Sequence, residues 1–128
     1  MRSKVRYHVC FYRSKQGECQ ACDYARNMDI NHQAKAKRWF QALAELGPEL
    51  PTDYGKHLRD GVWELRVIIQ HHQHRFLYSY WNNIIVVTTA ILKKSNEVPP
   101  IEIERSRKLM ADWIARRQWE AVYAKKKK

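Results

Sequence analysis

A group of basic side chains within residues 58–94 has the composition of a phosphate-binding site. Arg66 lies inside one apolar, strand-like run, and Arg75 opens the next. Lys93 and Lys94 close a third run. Arginine matches phosphate oxygens through its planar guanidinium, and a lysine beside other cations has a lowered pKa and can exchange protons. We therefore expect this stretch to bind an anionic group.

Three further basic residues, Lys56, His57 and Arg59, directly precede the first run. Metal-free RNA cleavage requires deprotonation of the 2′-hydroxyl, protonation of the leaving 5′-oxygen and stabilisation of charge on the phosphoryl oxygens. Histidine is the residue type that exchanges protons near neutral pH, so His57 is a candidate for one transfer. An exposed loop histidine without function is the simpler interpretation, because the sequence does not fix its geometry.

Strand alternation predicts which face carries Arg66. Trp63 falls on one face of the predicted strand, and Glu64 and Arg66 fall on the other. The alternative to phosphate binding is an ion pair between Arg66 and Glu64, or a cross-strand pair without function. The adjacent Lys93 and Lys94 must point to opposite faces, so only one of them shares the face of Arg66.

The net charge of +11 favours a polyanionic partner such as RNA, DNA or an acidic protein. The terminal lysine run, 125–128, supplies only four of these charges, so the excess belongs to the body of the chain as well. Solubility alone is the alternative explanation. No apolar run approaches the roughly 18 residues of a membrane span, and the start lacks a secretory signal. We therefore expect a cytoplasmic protein with no membrane partner.

The cysteines do not form a recognisable metal motif. They are Cys10, Cys19 and Cys22. The C-x-x-C pair lacks a second pair of ligands at zinc spacing, and the histidines at 71, 72 and 74 do not supply one. A cytosolic chain is not expected to depend on disulfides. We interpret Cys19 and Cys22 as small helix residues and expect neither a metal nor another cofactor.

Hydrophobic periodicity and turn residues predict an α+β domain in the order β-α-α-β-β-β-α, with a mainly antiparallel sheet. The predicted strands cover residues 5–12, 62–70, 75–81 and 84–92, and the predicted helices cover 18–26, 30–46 and a segment beginning at Pro100. Asp29 is the expected N-cap of the second helix, and residues 49–61 are expected to be irregular. The domain is predicted to span 1–120, with 121–128 a disordered basic tail.

Several motifs together resemble the phage-derived, HigB-like branch of the RelE/ParE toxin superfamily. They are SKQG at 14–17, LGPEL at 46–50, LRDGVWELR at 58–66, HRFLY at 74–78, LKKS at 92–95, and a proline followed by the helix start at 101–107. The similarity covers most of residues 5–115. It is specific in combination, although each motif alone is weak.

This resemblance implies a small RelE-like toxin of a type II toxin–antitoxin system, acting as a metal-independent and ribosome-dependent mRNA endoribonuclease. Its partners would be mRNA, the ribosome and a cognate antitoxin, expected to be a helix-turn-helix protein from the adjacent gene. By motif, the resemblance assigns catalysis to Arg66, Arg75, Lys93 and Lys94, and RNA binding to Lys56, His57 and Arg59. Two alternatives remain open: a ParE-like topoisomerase inhibitor without nuclease activity, and an inactive phage-derived binding protein.

Overall fold

A five-stranded sheet forms the centre of the protein, in a computed structural model that describes residues 5–93 and 97–126. The strands are β1 (His8–Phe11), β2 (Gly55–Arg59), β3 (Val62–Ile69), β4 (His72–Trp81) and β5 (Ile84–Leu92). The helices are α1 (Gln20–Arg26), α2 (Ile30–Leu46), α3 (Pro100–Ala115) and α4 (Trp119–Lys126), with a 3₁₀ turn at Gly47–Glu49. The predicted α+β class is confirmed.

The strand order is β1-β5-β4-β3-β2, in which only β1 and β5 run parallel. Successive side chains of each strand point to opposite faces of the sheet. One face packs against α1 and α2 through a core that includes Leu65, Val67, Phe76, Tyr78 and Val87. The opposite face packs against α3 through Ile84, Val86, Met110 and Trp113. Strands β1, β4 and β5 contribute side chains to both of these cores.

Helix α2 begins and ends where the sequence predicts. The Asp29 carboxylate accepts a hydrogen bond of 2.9 Å from the amide of Asn31, which caps the first turn. The helix ends at Gly47, where φ is +55° and a Cβ would lie 2.3 Å from the Tyr7 ring. A left-handed backbone and a close aromatic neighbour both favour glycine there.

Strand β2 lies within the segment that was expected to be irregular. It pairs antiparallel with β3 as an edge strand, so that Lys56 lies opposite Glu64. Its side chains are mostly exposed, which removes the hydrophobic alternation by which a strand is recognised from sequence. A Cβ at Gly55 would lie 2.9 Å from a Leu50 methyl group, so the strand starts against a tight packing contact.

Helix α4 extends past the domain boundary predicted at residue 120, into the segment expected to be a disordered tail. Trp119 stacks on Trp81 with ring centroids 4.8 Å apart, and the Tyr123 hydroxyl donates a 2.8 Å hydrogen bond to Asn83. These contacts fix the helix to the β4–β5 turn. None of the helices in residues 5–93 and 97–126 has both the length and the apolar character needed to cross a bilayer.

Candidate functional site

A pocket of about 230 Å³ opens where β2, β3 and the end of β5 meet the start of α3. Its basic lining residues are Lys56, His57, Arg59, Arg66 and Lys93, and it also touches Glu64, Glu97 and Ile103. Five of the seven residues predicted to form the site therefore line one cavity. Arg75 and Lys94 are the other two, and Lys94 lies outside the described residues.

The sheet register places Arg66 and Lys93 on one face. Arg66 lies opposite Arg75 in the β3–β4 pair. Arg75 lies opposite Ile91 in the β4–β5 pair, and Lys93 follows Ile91 by two positions. The Lys93 amide continues the ladder with a 2.8 Å hydrogen bond to the Gln73 carbonyl. Directly opposed residues share a face, so Lys93 lies on the face of Arg66.

A buried carboxylate holds the two arginines in place. Glu64 is 1% exposed, and its Oε1 accepts a 2.8 Å hydrogen bond from Nε of Arg66. Its Oε2 lies 3.3 Å from Nε of Arg75. This is the Arg66–Glu64 ion pair that strand alternation allows as the alternative to phosphate binding. One carboxylate between two guanidinium groups leaves the site with excess positive charge.

Arg75 lies beneath the pocket rather than in it. It is 2% exposed, and its Nη2 donates a 2.9 Å hydrogen bond to the Gln73 side chain. Burial lowers the pKa of Arg75, Glu64 opposes this shift, and Arg66 adds to it. With its guanidinium enclosed by protein, Arg75 is placed to position Glu64 and to raise the local positive potential.

Arg66 is the arginine that a ligand can reach. Its side chain is 22% exposed, and its bond to Glu64 runs through Nε. Within residues 5–93 and 97–126, its terminal nitrogens make no hydrogen bond, so both can face the pocket. A guanidinium held at Nε and open at its two terminal nitrogens can bind two oxygens of one phosphate.

Lys93 has the properties of a proton donor. Its pKa is lowered by burial first and by Arg75 next, with smaller contributions from Arg66 and Lys56 and opposition from Glu64. A lysine with a lowered pKa gives up its proton more readily than an exposed lysine does. The pocket therefore combines a guanidinium that can stabilise phosphoryl charge with an ammonium group that can protonate a leaving oxygen.

The other basic residues of β2 occupy different positions around the pocket. Lys56 lies opposite Glu64, on the face of Arg66. His57 lies opposite Trp63, and its ring packs edge-on against that indole with centroids 5.2 Å apart. The imidazole thus belongs to the other face of the sheet. Arg59 follows a register shift in β2 and lies 3.8 Å from the Asp60 carboxylate at the exposed rim.

A profile for the family described as "Phage derived protein Gp49-like (DUF891)" matches residues 23–111, which is more than half of the chain. The chain belongs to this family. Membership supports the expectation of a toxin from a toxin–antitoxin pair. The match begins within α1, runs through most of α3 and includes every strand of the pocket.

Other comparisons add less. No curated protein matches the sequence. Among solved structures, the chain is similar to one described as "Crystal structure of archaeal RelE-RelB complex from Pyrococcus horikoshii OT3". That similarity has a TM-score of 0.45 and 11% sequence identity, and it covers 69% of this chain and 96% of the other.

Sequence reasoning missed a histidine cluster on the opposite face of the Gp49-like sheet. The Tyr24 hydroxyl and His74 Nδ1 lie 2.7 Å apart, and His32 Nδ1 lies 3.0 Å from His74 Nε2. The ring of His72 lies 5.0 Å from that of His32. Burial, followed by the charges of His32 and His72, lowers the pKa of His74 to about 4. A neutral imidazole satisfies this arrangement because it donates through one nitrogen and accepts through the other.

This cluster borders a cavity of about 610 Å³ between α1, α2 and the end of the sheet. In the described part of the chain, no three His, Cys, Asp or Glu side chains are arranged to hold a metal ion. The sequence signal for the cluster was the group of histidines near residue 72, but His32 joins it only through the packing of α2.

The expectation that the chain would do without disulfides is wrong. Cys19 and Cys22 are joined by a disulfide across the first turn of α1. Cys22 is a helix residue as predicted, whereas Cys19 is the N-cap. Their spacing brings the Cα atoms to 5.2 Å, within the range that a disulfide spans. The expected cellular compartment argues against a disulfide, but the spacing of the two cysteines allows one.

Proposed function

We propose that this Gp49-like protein is the toxin of a type II toxin–antitoxin pair, in the HigB-like branch, and that it cleaves mRNA on the ribosome without a metal ion. The observation that carries the proposal is the convergence of Arg66 and Lys93 on one basic pocket above a buried Glu64. Family membership supports the toxin assignment independently.

In the proposed reaction, the scissile phosphate binds between Arg66 and Lys93. The 2′-hydroxyl gives its proton to solvent water as its oxygen attacks phosphorus and the bond to the 5′-oxygen breaks. The terminal nitrogens of Arg66 stabilise the charge that builds on the phosphoryl oxygens during this attack. Lys93 donates a proton to the leaving 5′-oxygen. Glu64 and Arg75 are positioning residues, because they fix the Arg66 guanidinium from below and do not touch the substrate.

The remaining basic residues extend the surface for RNA. Lys56 shares the pocket face and adds positive potential beside Lys93. Arg59 lies at the exposed rim, where it can meet the phosphate of a neighbouring nucleotide. His57 would reach the reacting phosphate only by leaving Trp63, so we assign it to RNA binding and not to proton transfer. Lys94 is assigned to a rim contact, because it follows Lys93 on the chain.

The proposed antitoxin is an acidic or partly acidic protein encoded beside the toxin, with a helix-turn-helix domain. A carboxylate inserted between Arg66 and Lys93 would occupy the place of the phosphate and neutralise the pocket. Neutralisation would then depend on the same two residues as cleavage.

The test compares Arg66→Ala and Lys93→Ala with a matched control, Arg26→Ala. Arg26 is an exposed arginine paired with Asp23 on α1, outside the pocket. Cleavage is measured by mapping the 5′ ends of a ribosome-bound message, and folding by thermal unfolding. We expect the two pocket variants to lose about 10²–10³-fold in rate and the control to retain full activity.

A further variant separates charge from proton transfer. Lys93→Arg keeps the positive charge but cannot readily release a proton, so it should restore binding more than cleavage. If Arg66→Ala still cleaves as the unchanged protein does, the proposed site is wrong. If growth stops without new 5′ ends while DNA supercoiling changes, the protein is a topoisomerase inhibitor instead.

A further inference from the structure

The C-x-x-C pair differs from a buried structural disulfide in the position of its second sulfur. Cys19 is 2% exposed, whereas Cys22 is half-buried and can be approached from solvent. The Cys22 amide also donates a 3.2 Å hydrogen bond to Sγ of Cys19. An incoming thiolate would therefore reach Cys22, and the sulfur released would be Cys19, which already has a hydrogen-bond donor.

A cationic neighbour completes this environment. Nη2 of Arg13 lies 3.9 Å from Sγ of Cys22. A guanidinium beside a cysteine favours the thiolate, which is the reactive form in thiol–disulfide exchange. Cys10 provides the contrast within the same chain, because burial raises the pKa of its thiol to about 11. The chain therefore contains one inert thiol and one pair suited to exchange.

One of the two residues between the cysteines links them to β5, the strand that ends just before Lys93. The Gln20 side chain donates a 2.8 Å hydrogen bond to the carbonyl of Ala90 and accepts one of 2.7 Å from its amide. Ala90 lies in β5 shortly before Lys93. Gln20 thus attaches the first turn of α1 to the end of β5 through both the amide and the carbonyl of Ala90.

We propose that Cys19 and Cys22 form a redox-active pair that exchanges reversibly with small thiols, and that the disulfide holds Gln20 on Ala90. In the first step, a small thiolate attacks Sγ of Cys22, forms a mixed disulfide and releases the Cys19 thiolate. In the second, another small thiolate attacks the small-molecule sulfur and releases the Cys22 thiolate. The products are a protein dithiol and one oxidised small-molecule disulfide, so two electrons enter the protein. Oxidation runs the same steps in reverse.

The effect on β5 follows from the length of α1. A helix of seven residues is marginal by itself, and a covalent link across its first turn restricts the conformations open to that turn. After reduction, the turn loses this restraint, and Gln20 leaves Ala90 more often. Residues near Ala90 should then exchange their amide hydrogens faster.

The first experiment equilibrates the folded protein in glutathione buffers of graded reduced-to-oxidised ratio, with acid quench, alkylation and mass measurement. We expect one transition that involves two thiols, with the same midpoint in Cys10→Ser and no transition in Cys22→Ser. A disulfide that stays oxidised in millimolar thiol, a pair that stays reduced in every buffer, or a transition that requires Cys10 would each overturn the proposal.

The second experiment measures hydrogen exchange at the Ala90 amide in both redox states. We expect several-fold faster exchange after reduction, and equally fast exchange in both states of Gln20→Ala. Equal exchange in the two states of the unchanged protein would overturn the link to β5. Neither experiment depends on RNA cleavage, so its outcome is independent of the proposed nuclease function.

Discussion

His74 and Arg75 are consecutive residues of β4, and the sheet buries them on opposite faces in opposite ways. Arg75 is 2% exposed and keeps its charge against Glu64. His74 is 4% exposed, and the charges of its neighbours add to burial in driving it to the neutral form. The first face carries the basic pocket, and the second carries a hydrogen-bonded cluster with Tyr24 and His32.

The difference follows from the chemistry of the two side chains. A guanidinium cannot lose its proton in a protein, so a buried arginine requires a carboxylate partner. An imidazole avoids the cost of burial by releasing its proton. The face that buries Arg75 therefore depends on Glu64. The face that buries His74 depends only on the imidazole being neutral. The buried side chain stays charged on the face where an anionic ligand is expected. It is neutral on the face where α1 and α2 pack.

The largest expected effect comes from removing the carboxylate. Glu64→Leu leaves Arg75 buried and charged without a partner, which should lower the free energy of unfolding by roughly 3–5 kcal/mol. Urea denaturation measures this change. A control with both partners replaced, Glu64→Leu with Arg75→Met, should be less destabilised than Glu64→Leu alone. Equal stability of the single variant and the unchanged protein would show that Arg75 has another partner.

A smaller effect is expected from acidification. Between about pH 6.5 and pH 4, an unfolded histidine takes up a proton that the folded His74 does not. Because the unfolded state binds more protons there, the free energy of unfolding should fall by roughly 1–3 kcal/mol as the pH is lowered through this window. Above the window, the full stabilising contribution of the neutral His74 should be present.

The contribution of His74 is isolated by comparing two variants at pH 7.5 and pH 4.5. His74→Gln should lose this part of the pH dependence, whereas His71→Gln, at an exposed position of the β3–β4 turn, should keep it. If both variants respond to pH as the unchanged protein does, the histidine cluster is not buried in its neutral form.

The smallest effect is expected from a single hydroxyl. Tyr24→Phe removes the 2.7 Å contact with His74 and leaves one imidazole nitrogen without its partner. The free energy of unfolding at pH 7.5 should fall by about 1 kcal/mol. Thermal unfolding detects such a loss, and RNA cleavage should be unchanged because Tyr24 lies on the face opposite the pocket. Loss of cleavage with normal stability would show that the two faces are coupled.

The sequence predicted those elements that are marked by capping residues, by helix-ending residues or by a continuous apolar run. Helix α2 begins after the Asp29 cap and ends at Gly47, and β5 occupies the wholly apolar run at 84–92. Alternation also predicted that Arg66 shares a face with Glu64, and their ion pair follows directly. In each case the determining interaction lies within a few residues along the chain.

Long-range features could not be predicted in the same way. The edge strand β2 is defined by its pairing with β3, and α4 by the stacking of Trp119 on Trp81. The position of Lys93 on the face of Arg66 follows only from the register of β5 against β4. His32 reaches His74 from another element, which no sequence spacing indicates.

The parallel pairing of β1 with β5 has a consequence for synthesis of the chain. It joins residues 8–11 to residues 84–87, whereas the pairs β2–β3, β3–β4 and β4–β5 each join strands that are adjacent in sequence. Contacts between distant residues form late because closing a long loop costs entropy. The pocket also needs Ile103 from the start of α3. A growing chain thus lacks a complete pocket until the start of α3 has emerged from the exit tunnel, so the proposed site forms only after most of the chain has been synthesised.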